Sequence, residues 1–148
     1  MALYIGSDHA GFGLKNVLRE HLKTQGKEVV DLGTFDGEAK VDYPDIAREV
    51  AEKVKSNKNS AGILVCGTGI GVAIAANKVK GIRAANVHDL TEARFARLHN
   101  DANIVTVGAR TLGEETAKEI VDTFLSTAFE GGRHTARIEK ITAIENEQ

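Results

Sequence analysis

Ile63-Leu64-Val65-Cys66-Gly67-Thr68-Gly69-Ile70-Gly71 runs from aliphatic residues into a single thiol and then into alternating glycines. A short apolar run of this kind reads as a parallel strand buried on both faces. The glycines that follow let the backbone approach a ligand closely and turn successive N–H groups toward negative charge at a helix start. Working outward, Leu3–Gly6, Glu28–Asp31, Ile82–Val87 and Ile104–Val107 are compact runs of the same type.

Between these runs lie helical periods. Leu14, Val17, Leu18 and Leu22 share one face, and Gly26 stands where that helix should stop. A second helix is predicted from Pro44, a suitable first-turn residue, with Ile46, Ala47, Val50, Ala51 and Val54 inward. Asp89 and Glu92 have capping-box spacing before a helix carrying Ala93, Ala96 and Arg97. Ala117, Ile120, Val121, Phe124 and Leu125 form another apolar stripe. The repeated β-then-α order predicts one α/β domain, residues 1–148, with a parallel sheet and helices on both faces. Leu32 to Asp42 is the longest expected loop. Gly131-Gly132 sets off a last segment, Arg133–Gln148, whose only large apolar residues are Ile138, Ile141 and Ile144. A helix so thin in apolar residues is expected to dock on a neighbour.

Composition narrows the function classes. Lys and Arg total 19 against 21 Asp and Glu, a net charge of −2 that offers no general attraction to nucleic acid or an anionic membrane. The single cysteine excludes an internal disulfide framework and a Cys-rich zinc site. No apolar stretch reaches transmembrane length, and Met1-Ala2-Leu3-Tyr4-Ile5-Gly6 reads as a strand, not a signal peptide. A cytoplasmic location is the expectation.

Ligands of open parallel sheets bind beyond the carboxyl ends of the strands. Those ends carry Ser7-Asp8-His9, the Cys66–Gly71 loop, Asn86 to Asp89, and Gly108-Ala109-Arg110. The glycine loop is neither G-x-G-x-x-G nor a P-loop. It is not a cysteine-phosphatase loop either, since Val72 stands where that loop needs an arginine. The alternative for Cys66 is a small buried hydrophobe. Its place before a glycine loop and helix start favours a thiolate acting as nucleophile or proton acceptor. His99-Asn100-Asp101 closes a helix, where a cationic histidine can simply complement the dipole. His21 reads as a surface residue. Arg133, His134 and Arg137 form a basic cluster, with the two arginines on one helical face. A solvated face is the plain reading of such a cluster, and paired guanidinium groups for phosphate the functional one. No histidine pair shows metal-ligand spacing with a carboxylate, so no metal and no cofactor are expected.

These motifs together resemble the type B ribose-5-phosphate isomerase family, which also includes the galactose-6-phosphate isomerase subunits. The resemblance runs through Gly6-Ser7-Asp8-His9, Asp42-Tyr43-Pro44, Cys66-Gly67-Thr68-Gly69-Ile70-Gly71 and Ala75-Ala76-Asn77-Lys78. It continues through Gly81-Ile82-Arg83-Ala84, His99-Asn100-Asp101 and Gly131-Gly132-Arg133-His134. It implies a Rossmann-like sheet of five parallel strands, a homodimer sometimes paired into a tetramer, and metal-free interconversion of ribose 5-phosphate and ribulose 5-phosphate. It places the proton-abstracting residue on Cys66, ring opening on His99, and substrate contacts on Asp8, His9, Asn100, Arg110, Arg133 and Arg137. The segment Gly67, Thr68, Gly69, Ile70 and Gly71 matches the part that holds the reacting end of the sugar. Some relatives use a glutamate at the position of Ile70, so the cysteine variant applies here.

The chemistry of the residues agrees with that resemblance. An imidazole can move the ring proton near neutral pH, a thiolate can take the C2 hydrogen, and loop amides can stabilise an enediolate. The Thr68 hydroxyl is suited to relaying a proton between O1 and O2 or to binding the sugar. A six-carbon substrate such as galactose 6-phosphate or allose 6-phosphate remains the alternative within the family. Outside it, a non-catalytic phosphometabolite-binding module would share the loop but would not need the thiol.

Overall fold

A computed structural model describes all 148 residues. In chain order the elements are β1 (Ala2–Ser7), α1 (Phe12–Thr24), β2 (Val30–Asp31), α2 (Tyr43–Ser56), β3 (Ser60–Cys66), α3 (Ile70–Ala76), β4 (Ala84–Asn86), α4 (Leu90–Leu98), β5 (Ile104–Gly108), α5 (Glu114–Ser126) and α6 (Arg133–Asn146). The strands form one parallel sheet in the order β2-β1-β3-β5-β4. This is the Rossmann-like, five-stranded α/β architecture the sequence reading expects.

Side chains on a strand alternate between faces, and both faces of this sheet are covered. From β3, Ile63 and Val65 enter one core with Leu14, Leu18 and Leu22 of α1, Ala93 of α4 and Ile120 and Phe124 of α5. Leu64 and Cys66 enter the other, with Val50, Ala51 and Val54 of α2 and Val72 and Ala76 of α3. An uninterrupted apolar strand is the pattern that two cores require. The outer strands β2 and β4 span only two and three residues, shorter than the runs Glu28–Asp31 and Ile82–Val87. Each pairs on one side only, so fewer residues are fixed by ladder hydrogen bonds.

The chain leaves β1 toward β2 on one side and returns to β3 on the other. The tips of β1 and β3 therefore flank a topological switch point, the place where ligands of open α/β sheets bind. At the far end of the chain, Gly131 and Gly132 take φ values of 72° and 57° and redirect it into α6. Only His134 of α6 is buried, and Ile141 and Ile144 are 45% and 60% exposed. No helix is long and apolar enough to cross a membrane.

Candidate active site

Cys66 ends β3 and is 5% exposed, facing the α2/α3 side of the sheet. The chain then turns back over its own sulfur, and the Gly69 N–H donates to Sγ at 3.1 Å. Gly69 is the N-cap of α3 with φ 79°, a left-handed conformation that favours glycine. Ile70 N–H donates to the Thr68 hydroxyl oxygen at 3.2 Å, and the Thr68 side chain is exposed at the mouth. One amide at the start of α3 thus rests on the sulfur, and the next rests on the Thr68 hydroxyl.

Neighbouring strand tips are tied to this loop. Arg110 N–H donates to Gly67 O at 2.8 Å and Ala109 N–H to Cys66 O at 2.9 Å. A Cβ on Gly67 would come within 3.1 Å of the Arg110 guanidinium, so the glycine lets that cation lie against the loop. On the other side, Asp8 N–H donates to Val65 O at 3.3 Å. The buried Asp8 carboxylate accepts from Gly11 N–H at 3.0 Å, so one oxygen shapes its own turn. Ser7 Oγ and His9 Nδ1 are buried without a hydrogen-bond partner. Two orphaned polar atoms at the switch point suit a polar ligand. Asp8, His9, Gly67, Thr68, Gly69, Ile70, Gly71, Arg110 and Cys66 are therefore brought together.

His99, Asn100, Arg133 and Arg137 are not in that group. His99 is the C-cap of α4, and the chain passes through Asn103 into the amino end of β5. Cys66 pairs with Gly108 at the other end of that strand, four residues from Ile104, or about 13 Å at the usual rise. Within one chain His99 is well beyond hydrogen-bond reach of the thiol. Around His99 a second cluster forms. Its ring stacks between Phe95, at 4.5 Å, and His134, at 4.3 Å. Glu130 Oε2 lies 3.9 Å from His99 Nε2 and 3.6 Å from His134 Nε2. Burial pushes His134 below the usual histidine pKa, and the Arg133 guanidinium beside it adds to that. Arg133 and Arg137 are both exposed at the start of α6.

The sequence reading missed four features. It found no metal-ligand spacing, yet His99, Glu130 and His134 bring ligand atoms within 4.8 Å of one another. The two rings are stacked only 16° from parallel, so their in-plane lone pairs run side by side instead of converging on one ion. His21 is not a free surface residue, since Nε2 meets the Asp122 carboxylate at 2.9 Å and joins α1 to α5. Lys15, which the sequence reading passed over, is fully buried on α1. It forms two bonds of 2.9 and 3.0 Å to Asp31 and donates to Thr34 O. That pins the chain after β2, where Gly33 and Thr34 bond the backbone of Ser7 at 2.7 Å each. Tyr43 is a further addition, because a Cβ on Gly71 would meet its ring at 2.6 Å. A lone charged or aromatic position carries no signal in one sequence that would distinguish such contacts.

Comparison with known proteins gives a consistent result. The profile of the family described as Ribose/Galactose Isomerase matches residues 3–141. The ribose-5-phosphate isomerase B of Escherichia coli K12 is 49% identical over 140 residues, covering 95% of this chain and 93% of that protein. A solved ribose-5-phosphate isomerase B from Clostridium thermocellum superposes with a TM-score of 0.96 at 51% identity, covering 99% of both chains. The enzyme of the same name from Mycoplasma genitalium, solved with bound ribulose 5-phosphate, gives 0.95 at 49% identity, covering 99% of this chain and 97% of that one.

Proposed function

The chain belongs to the ribose/galactose isomerase family, and we propose that it interconverts D-ribose 5-phosphate and D-ribulose 5-phosphate through an enediolate. The observation that carries this reading is the Cys66 thiol at the start of α3, with the Gly69 N–H on its sulfur. A binding module would need the amides but not the thiol.

In this mechanism His99 assists opening of the sugar ring by moving the ring proton. The Cys66 thiolate then takes the C2 hydrogen as a proton, and the electron pair passes to the C1–C2 bond and the carbonyl oxygen. The amides of Gly67 to Gly71 hold the negative oxygen in oxyanion-hole fashion. A proton moves from O2 to O1, with the Thr68 hydroxyl placed to carry it. Cys66 returns its proton to C1, which leaves the ketose. Asp8, His9 and Asn100 bind sugar hydroxyls or phosphate, and Arg110, Arg133 and Arg137 supply cations for the phosphate. Binding energy from that remote group holds the sugar in its reactive pose. The steps use side chains and backbone amides alone, the amides of Gly67 to Gly71 taking the charge-stabilising role that a metal would otherwise fill.

A complete site takes His99, Asn100, Arg133 and Arg137 from a second copy of the chain. Their separation from Cys66 within one chain and the exposed apolar residues of α6 support a twofold homodimer, with α6 docking on the partner. Pairing of such dimers would give the tetramer that the family resemblance implies. A single free thiol with an acid–base role suits the reducing cytoplasm.

Substrate class is tested by relative turnover. We expect kcat/KM for ribose 5-phosphate to exceed that for galactose 6-phosphate and allose 6-phosphate by about tenfold or more, the usual scale for one extra carbon in a fitted pocket. Equal or better turnover of a six-carbon substrate would overturn the pentose assignment. For the phosphate clamp, Arg137→Ala should weaken ribose 5-phosphate and inorganic phosphate together by about tenfold or more, through loss of charge-assisted bonds. Calorimetry with unphosphorylated ribose should show little change. An equal loss for ribose would make Arg137 a structural residue.

A further inference from the structure

We infer that Thr106 is a positioning residue for the isomerisation, holding the Gly69–Ile70 peptide so that the Ile70 N–H faces the substrate. The inference rests on the proposed reading of Cys66 as base and of the glycine loop as oxyanion site.

Thr106 lies in the middle of β5, in Ile104-Val105-Thr106-Val107-Gly108, and is fully buried. Valine is nearly its isostere and suits such a strand as well or better. A buried hydroxyl costs free energy unless it makes a hydrogen bond, so its partner explains its presence. That partner is Gly69 O, which accepts from Thr106 Oγ1 at 2.7 Å. The first backbone bond of α3, from Ala73 N–H to the same oxygen, is longer at 3.3 Å. In a seven-residue helix the Thr106 hydroxyl is thus the closer anchor of the N-cap carbonyl. The Asn86 amide oxygen lies 3.2 Å from the same hydroxyl, and a Cβ on Gly69 would collide with it. A Cβ there would also lie only 3.0 Å from the Val107 backbone, so Gly69 is seated directly on the sheet.

The consequence follows from peptide geometry. In a trans peptide the C=O and N–H point in opposite directions. With Gly69 O drawn toward β5, the Ile70 N–H points away from the sheet to the mouth, where the Thr68 hydroxyl oxygen meets it. The N–H of Gly69 itself donates to Cys66 Sγ. Gly69 is therefore held at its N–H by the thiol and at its carbonyl by Thr106, which fixes the peptide plane and with it the direction of the Ile70 N–H. Preorganised donors of this kind act mainly on the transition state, so the loss should appear in kcat more than in KM.

The test compares Thr106→Val, Thr106→Ser and Thr106→Ala in the full-length enzyme, assayed well below each melting temperature. Thr106→Val should lower kcat for ribose 5-phosphate by about tenfold or more while KM stays within about threefold. Thr106→Ser, which keeps the hydroxyl and loses the methyl, should stay within about threefold of the parent. If Thr106→Val does not fold, Ser against Ala isolates the hydroxyl, and Ser should be the faster by about tenfold. Activity that follows the methyl, with Val active and Ser impaired, overturns the inference, as does an unchanged kcat in both Val and Ala. Cys66→Ala separates the two readings. If it is inactive while Thr106→Val is not, only the role of Thr106 fails; if it is active, the base assignment fails first.

Discussion

Replacing Cys66 with alanine is expected to lower isomerase turnover by about 10³-fold or more, the scale of a lost general base. No other side chain of the loop can accept a carbon-bound proton, because Thr68 is not basic enough and Ile70 is apolar. The fold should survive. Cys66 contributes only a small side chain to the α2/α3 core, and a melting temperature within several degrees of the parent is expected. Alkylation of the thiol should inactivate in step with labelling, and bound sugar phosphate should protect. Substantial turnover in the folded alanine variant would remove Cys66 from the chemistry and leave it as the buried apolar residue that its 5% exposure also permits.

The second large effect is recovery of activity from two inactive proteins. Cys66→Ala and His99→Asn, unfolded and refolded together, should regain about a quarter of the parental activity, since random pairing makes half the dimers mixed. Each mixed dimer has one site lacking both residues and one intact site. The prediction comes from the position of His99 beyond the amino end of β5, with Cys66 in register with Gly108 at the other end. Mass measurement of the mixed dimers is the control. Background activity in a pool shown to contain them would mean that each chain completes its own site.

Both expectations combine residues that were readable in the sequence with placements that were not. Local patterning was enough for the strands and helices. Ile63 to Cys66 could be satisfied only by covering on two faces, and the α1 and α5 stripes supplied one of those covers. The glycine loop was equally legible, because alternating glycines at a strand tip have few other uses. Asp8, His9, Cys66 and Arg110 could be grouped in advance, since strand tips of a parallel sheet share one edge.

Other features depend on contacts between residues far apart in the chain. Lys15 shares the inward face of α1 with Leu18 and Leu22, and only the approach of Asp31 and the Thr34 carbonyl makes the burial of its charge tolerable. His21 waits on Asp122 in the same way, and the His99–Glu130–His134 cluster needs two separate turns to meet. Thr106 looks like an ordinary β-branched strand residue until the loop folds back over β5 and presents Gly69 O to its hydroxyl. The local code of amphipathic period, strand tip and glycine spacing is carried by neighbours in sequence, and it determined the fold class and the half of the candidate site around Cys66. Which buried polar groups find partners, and that His99 and Cys66 lie at opposite ends of the same sheet, was decided only by long-range packing and strand order. Hydrogen bonds and ion pairs at such range depend on where the whole chain brings two groups, which no local pattern encodes.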